Sequence, residues 1–284
     1  MQGIAQVVEE RGGHVFTDSG VEAIKVKDGV ASSIVVNGEE ITAKAVISTL
    51  TPKLTFGLIG HEHFDEEALD LLKTVKSVGT SAIVDFALSE LPSYTCAPGK
   101  DPEGWQHQAC QVITPSVKYC EDTYNDWRQG IVSERLSLVM INESLFDPSM
   151  APPGKFTGKV YVTTVPYHLK EGSWDDPAIK EDFANKVINT ISEYAPDFRD
   201  AIIDKHVVTP LDFERIFGQP NWAHADVRTD QMFNNRPMPG WSQYKTPMEG
   251  LYLAGASCHG GPGVTGMAGH NAAQVIIENL KPAQ

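Results

Sequence analysis

Near its C-terminus the chain runs from an apolar stretch, Leu251-Tyr252-Leu253-Ala254, straight into Gly255, Gly260, Gly261, Gly263 and Gly266. A helical pattern then follows through Ala268, Ala272 and Val275. A strand that passes through so many glycines into a helix brings bare backbone to the surface, because glycine accepts positive φ and close approach. The first amides of a helix have no acceptor within it and carry positive partial charge. With the helix starting after Gly263, the loop is expected to receive an electron-rich or anionic group. A turn alone would need Gly255, Ala256 and Ser257 to be small but would not need the later glycines, which favours a ligand.

Gly261-Pro262-Gly263-Val264-Thr265-Gly266 satisfies G-x-G-x-x-G. That fingerprint belongs at the start of a βαβ unit with an acidic residue about twenty positions on. The sequence ends at Gln284, so the loop is read not as the opening phosphate loop of a Rossmann domain but as closing a fold begun elsewhere. The same placement weakens an NAD-only dehydrogenase.

A chain of 284 residues with 41% hydrophobic content can bury a substantial core in one or two domains. Lys and Arg number 23 against 37 Asp and Glu, a formal charge of −14. That excess repels phosphate backbones, so nucleic acid is excluded as a partner class. Cys96, Cys110, Cys120 and Cys258 show no C-x-x-C spacing and read as free buried thiols in a reducing compartment. No apolar run reaches the length of a membrane span. A cytoplasmic protein is expected, with peripheral membrane contact left open.

Ile4, Val7 and Val8 form one face of a short helix, and His14 to Thr17 reads as a strand. Three apolar runs follow, 21–26, 30–36 and 40–48, separated by Asp28-Gly29 and Asn37-Gly38, both tight-hairpin dipeptides. A helix is expected over 65–76 and a half-buried strand through Ala82, Val84, Phe86 and Leu88. Further strands are expected over 135–141 and 159–165. Asp176-Pro177 opens a helix with Ile179, Phe183, Val187, Ile188 and Ile191 on one face, and Thr209-Pro210 starts another.

The segments Thr246-Pro247-Met248-Glu249-Gly250-Leu251-Tyr252-Leu253-Ala254-Gly255-Ala256-Ser257, His259-Gly260-Gly261-Pro262-Gly263-Val264 and Gly269-His270-Asn271-Ala272-Ala273 resemble the C-terminal flavin motif of phytoene desaturase-like FAD-dependent oxidoreductases. The resemblance is nearest to their pyridine nucleotide-disulphide oxidoreductase-like branch. Asp147-Pro148, Gly172-Ser173-Trp174-Asp175, Thr209-Pro210-Leu211-Asp212, Gln231-Met232 and Arg236-Pro237 extend it upstream in the same order. The family's opening G-x-G-x-x-G segment has no counterpart before Gly255, so the chain is read as the C-terminal part of a family member.

The resemblance implies an α/β fold: an incomplete FAD/NAD(P)-binding Rossmann-like part over residues 1–60 and 216–284, and a substrate domain over 61–215 with a mixed β-sheet covered by helices. In this reading Gly255, Ala256 and Ser257 face the ribityl and pyrophosphate part of FAD. Gly263, Val264, Thr265, Gly266 and Met267 meet the pyrimidine side of its ring, where helix-terminal charge favours the reduced form. Val21 stands for the position at the adenine end and Thr49, with Ser48, for the strand end near the dinucleotide. A buried strand valine and a hydroxyl-bearing turn would look the same.

His259 and His270 flank the loop, and imidazole in general is suited to acid–base work. Hydride transfer to flavin needs no obligate protein base, so neither is assigned catalysis. His61-Glu62-His63 lacks a third ligand, and no metal is expected. Arg236 is either a counter-charge to the cofactor or substrate, or a surface salt bridge. The expected activity is hydride transfer from a substrate C–H bond to flavin N5, on a small substrate, with an apolar one left open. The competing expectation is a folded binding or dimerisation module without FAD, whose exposed sheet pairs with a second copy or with a missing N-terminal half.

Overall fold

A computed structural model describes residues 2–78, 81–218 and 224–281. The chain divides into two compact units, Met1–Lys76 with Ala223–Gln284, and Ser77–Trp222. The second unit is thus inserted into the sequence of the first.

The first unit opens with α1 (Gln2–Glu10), none of whose residues is buried. The run His14 to Thr17, expected as a strand, belongs to no strand, and Phe16 is exposed. Alternation alone does not hold a strand that has neither a ladder partner nor a covered face. Next, β1 (Val21–Lys27), β2 (Val30–Val36) and β3 (Glu39–Thr42) form an antiparallel sheet in that order. Its two turns are the expected dipeptides, with φ 53° and 80° at Asp28 and Gly29, and 52° and 76° at Asn37 and Gly38. Both central residues are left-handed, as the twist of a two-residue hairpin requires. The third apolar run breaks in two: β3 stops at Thr42, and β4 (Val46–Ser48) leaves the meander to join another sheet.

Two helices follow. α2 (Pro52–Ile59) starts at Thr51, whose Oγ1 accepts from the Leu54 amide. α3 (Glu66–Thr74) is capped by Asp65, which accepts from the Ala68 amide at 2.8 Å. Ala68 and Leu72 of α3 pack with Phe56, Trp241, Tyr244 and Leu253. That packing assigns α3 to the first unit, so the division falls after Lys76 and after Trp222 rather than after 60 and 215.

The second unit contains β5 (Ala82–Leu88), β6 (Gln111–Ile113), α4 (Val117–Arg128), β7 (Leu138–Ile141), β8 (Phe156–Val162), α5 (Pro177–Ser192), α6 (Phe198–Ala201), β9 (Ile202–Val208) and α7 (Pro210–Phe217). Its sheet runs β6-β7-β8-β5-β9, and every neighbouring pair is antiparallel. A mixed sheet was the expectation. The crossover helix α5 does join the mutually parallel strands β8 and β9, but β5 lies between them, so they never pair. Ala82, Val84, Phe86 and Leu88 of β5 pack in one core with Phe183, Val187, Ile188 and Ile191 of α5. α5 begins at the Asp176 cap with Pro177 in its first turn, and α7 begins at a capping box formed by Thr209 and Asp212.

The first unit closes with β10 (Leu251–Leu253) and α8 (Met267–Asn279). β10 lies parallel to β4, with Leu251 opposite Val46 and Leu253 opposite Ser48. Ala268, Ala272 and Ile276 are the buried residues of α8. Among the described residues no helix is long and apolar enough to cross a membrane.

Candidate functional site

The site is built where β4 and β10 end together. The Ala254 amide donates to the Ser48 carbonyl at 2.8 Å, carrying the pairing one residue past the strands. Gly255 then turns at φ 90°, and a Cβ there would lie 2.9 Å from the Thr49 carbonyl oxygen. Only glycine meets both demands. Beyond it, the Cys258 amide donates to the Gly255 carbonyl and the Gly261 amide to the Cys258 carbonyl, each at 3.1 Å. These turns fold the loop back so far that a Cβ on Gly261 would stand 2.9 Å from the Ala256 Cα.

The loop runs on through Gly263 (φ 132°), Val264 (φ 55°) and Gly266 (φ 71°). Left-handed residues cannot continue into a helix, so α8 begins at Met267, three residues later than expected. Gly266 is its N-cap, and one residue earlier the Thr265 Oγ1 accepts from the Met267 amide at 3.2 Å.

A cleft of about 410 Å³ lies within this arrangement, lined by His224, Gly255, Ala256, the loop 260–266 and the first turn of α8. It gathers Gly255, Ala256, Gly263, Val264, Thr265, Gly266 and Met267. Ser257 is not part of the lining; its side chain is buried and accepts from the Ala225 amide at 3.1 Å. Thr49 is exposed at the end of β4, with its backbone against Gly255. Val21 opens β1 opposite Val36 and does not line the cleft.

Arg236 is not in the surface setting that one of its two readings expected. It is 3% exposed. Nη1 donates to the carbonyls of Asp226 (3.0 Å) and Gln231 (3.3 Å), and Nη2 to those of Ala225 (2.9 Å) and Ala256 (2.7 Å). Burial pushes its pKa below the usual guanidinium range. Nothing in the Arg-Pro dipeptide signals this four-carbonyl clamp, which sequence reasoning missed.

A second tie comes from Tyr244, whose hydroxyl donates to the His259 carbonyl at 3.2 Å and accepts from Asn271 Nδ2 at 2.9 Å. His259 therefore fixes the loop through its backbone, while its ring and that of His270 are exposed. Cys258 is buried, and burial pushes its thiol up to about 12, with Arg236 pulling the other way. The other three cysteines are exposed, contrary to the expectation of buried thiols. Among the described residues no three His, Cys, Asp or Glu side chains group to hold a metal.

A parallel strand pair leading through a glycine loop into a helix, in a chain that also contains a unit built on an antiparallel sheet, is the fold of the FAD-dependent oxidoreductases. An oxidoreductase from Methanosarcina mazei shares it with a TM-score of 0.58 at 16% identity, over 98% of this chain and 53% of that one. No protein-family model matches the chain.

By sequence the chain is a relative of the pyridine nucleotide-disulfide oxidoreductase-like proteins and the phytoene desaturases. It is 32% identical to pyridine nucleotide-disulfide oxidoreductase domain-containing protein 2 of Mus musculus, over 98% of this chain and 49% of that protein. A limonene dehydrogenase polypeptide of Castellaniella defragrans matches at 27% over 95% and 52%, and a lycopene-forming phytoene desaturase of Pseudescherichia vulneris at 22% over 99% and 55%. The chain spans about half the length of these curated relatives.

Proposed function

We propose that this chain supplies one wall of the FAD site of an oxidoreductase that removes hydride from a C–H bond of a small apolar substrate. The cleft at the end of β10 carries the reading. The missing Cβ atoms at Gly255 and Gly261 leave backbone as its floor, and α8 directs its first turn of N–H groups toward it. Val264 is fully exposed at the crest of the loop, an apolar surface against which an aromatic ring can lie. These features fit an extended ligand with a polar chain and a flat ring.

In this reading Gly255 and Ala256 meet the ribityl and pyrophosphate part, and 263–267 the ring. Thr49 stands beside the dinucleotide, Val21 is assigned to its adenine end, and Ser257 contributes by holding the Ala225 amide. Bound there, FAD would supply a two-electron acceptor for hydride from a substrate C–H bond, balanced by loss of one proton from the adjacent carbon to solvent. An apolar substrate is favoured because relatives carry names as limonene and phytoene enzymes.

The test is to add FAD to the purified chain, remove the excess by gel filtration and record the visible spectrum. Retained flavin absorbance, lost in Gly261→Ala, supports the reading; a colourless wild-type chain overturns it for this chain. A second reading, a binding module without FAD, is favoured by the β4–β10 pair, which has only two strands among the described residues. Lys245 bridges Tyr252 and the Leu253 amide donates to the Tyr244 carbonyl along the β10 edge, which leaves the β4 edge to accept a further strand from a second copy or from another chain. Light scattering of the colourless protein as a dimer would support it.

A further inference from the structure

The second unit holds a cavity of about 310 Å³ that the flavin reading does not use. It lies against β6, an edge strand of the five-stranded sheet, and every residue lining it falls within 77–222. Tyr94, Trp105 and Tyr194 bring aromatic rings to its lining, and Cys96 and Cys110 both belong to it. Hydrogen bonds hold these segments in place. The Thr95 amide donates to the Tyr194 carbonyl at 2.8 Å, and Nε2 of the fully buried His107 donates to the Gly99 carbonyl at 3.2 Å.

Size, charge and one unpaired acceptor define what such a cavity can hold. A cavity of about 150 Å³ is enough for benzene, so about 310 Å³ has room for a two-ring molecule. The lining contains no Asp, Glu, Lys, Arg or His, so a charged group placed there would lose hydration with no partner to replace it. Trp105 and Val112, 74% and 63% exposed, leave large apolar surface that an apolar occupant would cover. Gln111 adds a directional demand. Its Nε2 donates to the carbonyls of Gln106, at 2.8 Å, and Ala109, which fixes the amide, while Oε1 is buried with no partner among the described residues. A buried acceptor without a donor is destabilising.

We propose that this cavity is a binding site for a small, uncharged two-ring aromatic molecule carrying one hydrogen-bond donor, a hydroxyl or N–H group, that pairs with Gln111. Its lining comes from the second unit alone, so the site stands without the flavin reading.

The test uses the wild-type chain and 2-naphthol. Cys96 and Cys110 line the cavity and Cys120 does not, so the rates at which these exposed thiols react with a disulfide reagent, assigned by peptide mass mapping, report its occupancy. Expected is a slowing of about tenfold at Cys96 and Cys110 when 2-naphthol is present at about ten times its Kd, with Cys120 unchanged. 2-Naphthoate, similar in size but charged, should not protect them. 2-Methoxynaphthalene, which has no donor, should need about tenfold higher concentration for the same protection. Trp105→Ala, a change at an exposed side chain, should weaken 2-naphthol about tenfold.

No protection, or equal slowing at all three thiols, overturns the proposal. Protection by 2-naphthoate as strong as by 2-naphthol overturns the uncharged ligand, and equal protection by 2-methoxynaphthalene overturns the pairing with Gln111. None of these outcomes depends on whether the chain retains FAD, so this proposal and the flavin reading fail separately.

Discussion

At Gly266 a methyl group would find open space and only the backbone angle would resist it, whereas at Gly261 the space itself is gone. The two glycines therefore fail differently. Gly266→Ala should cost about 1 kcal/mol of left-handed strain. Gly261→Ala, facing backbone that cannot step aside, should cost about 1–3 kcal/mol. Urea denaturation measures both, and only Gly261→Ala should also disturb the cleft. The thiols offer a second residue-scale check. Cys96, Cys110 and Cys120 are exposed, while Cys258 is buried with its thiol pushed up to about 12. A disulfide reagent at about pH 7 should titrate three thiols in the folded chain and the fourth only after unfolding. Early reaction of the fourth would mean that the β10 loop opens. The candidate residues were legible as far as glycine density can show them. Val264 at φ 55° was not, because a β-branched residue carries no signal for a left-handed turn.

Among the elements, α7 makes the most direct energetic test. Burial raises the pKa of Asp212, but Lys180 at 2.8 Å and 3.0 Å and hydrogen bonds from Thr209 outweigh it and hold the carboxyl below its usual range. A depressed folded-state pKa contributes stability above the unfolded value, near about 4, and that contribution disappears as pH falls through the folded value. Wild type should thus lose more stability than Asp212→Asn between about pH 5 and pH 2, in parallel denaturant titrations. Thr209→Ala should cost about 1 kcal/mol at neutral pH. The same cap-then-proline signal that placed α5 and α7 stands at Thr51-Pro52, so α2 was readable and missed. Hairpins announce themselves through Asp-Gly and Asn-Gly because those turns are local. The pairing of β4 with β10 has no local cause, and neither has the order of the five-stranded sheet.

At the scale of the molecule, the two units differ in how they are drawn from the chain. Ser77–Trp222 is continuous and closes its own core, from Ala82 through Phe198. Expressed alone, residues 77–222 should therefore unfold cooperatively in urea, with a far-UV spectrum showing both helix and sheet; a non-cooperative melt would show that this core depends on the other unit. The first unit has no such independence, since its strands β4 and β10 lie about 200 residues apart in sequence. That separation has a consequence in time. On a ribosome adding roughly 5–20 residues per second, β4 waits roughly 10–40 s for its partner to be made. The second unit, Ser77–Trp222, is made within that interval, ahead of the residues that line the glycine cleft. The cleft follows the whole second unit in order of synthesis, and a chain that stops short of Leu251 lacks it.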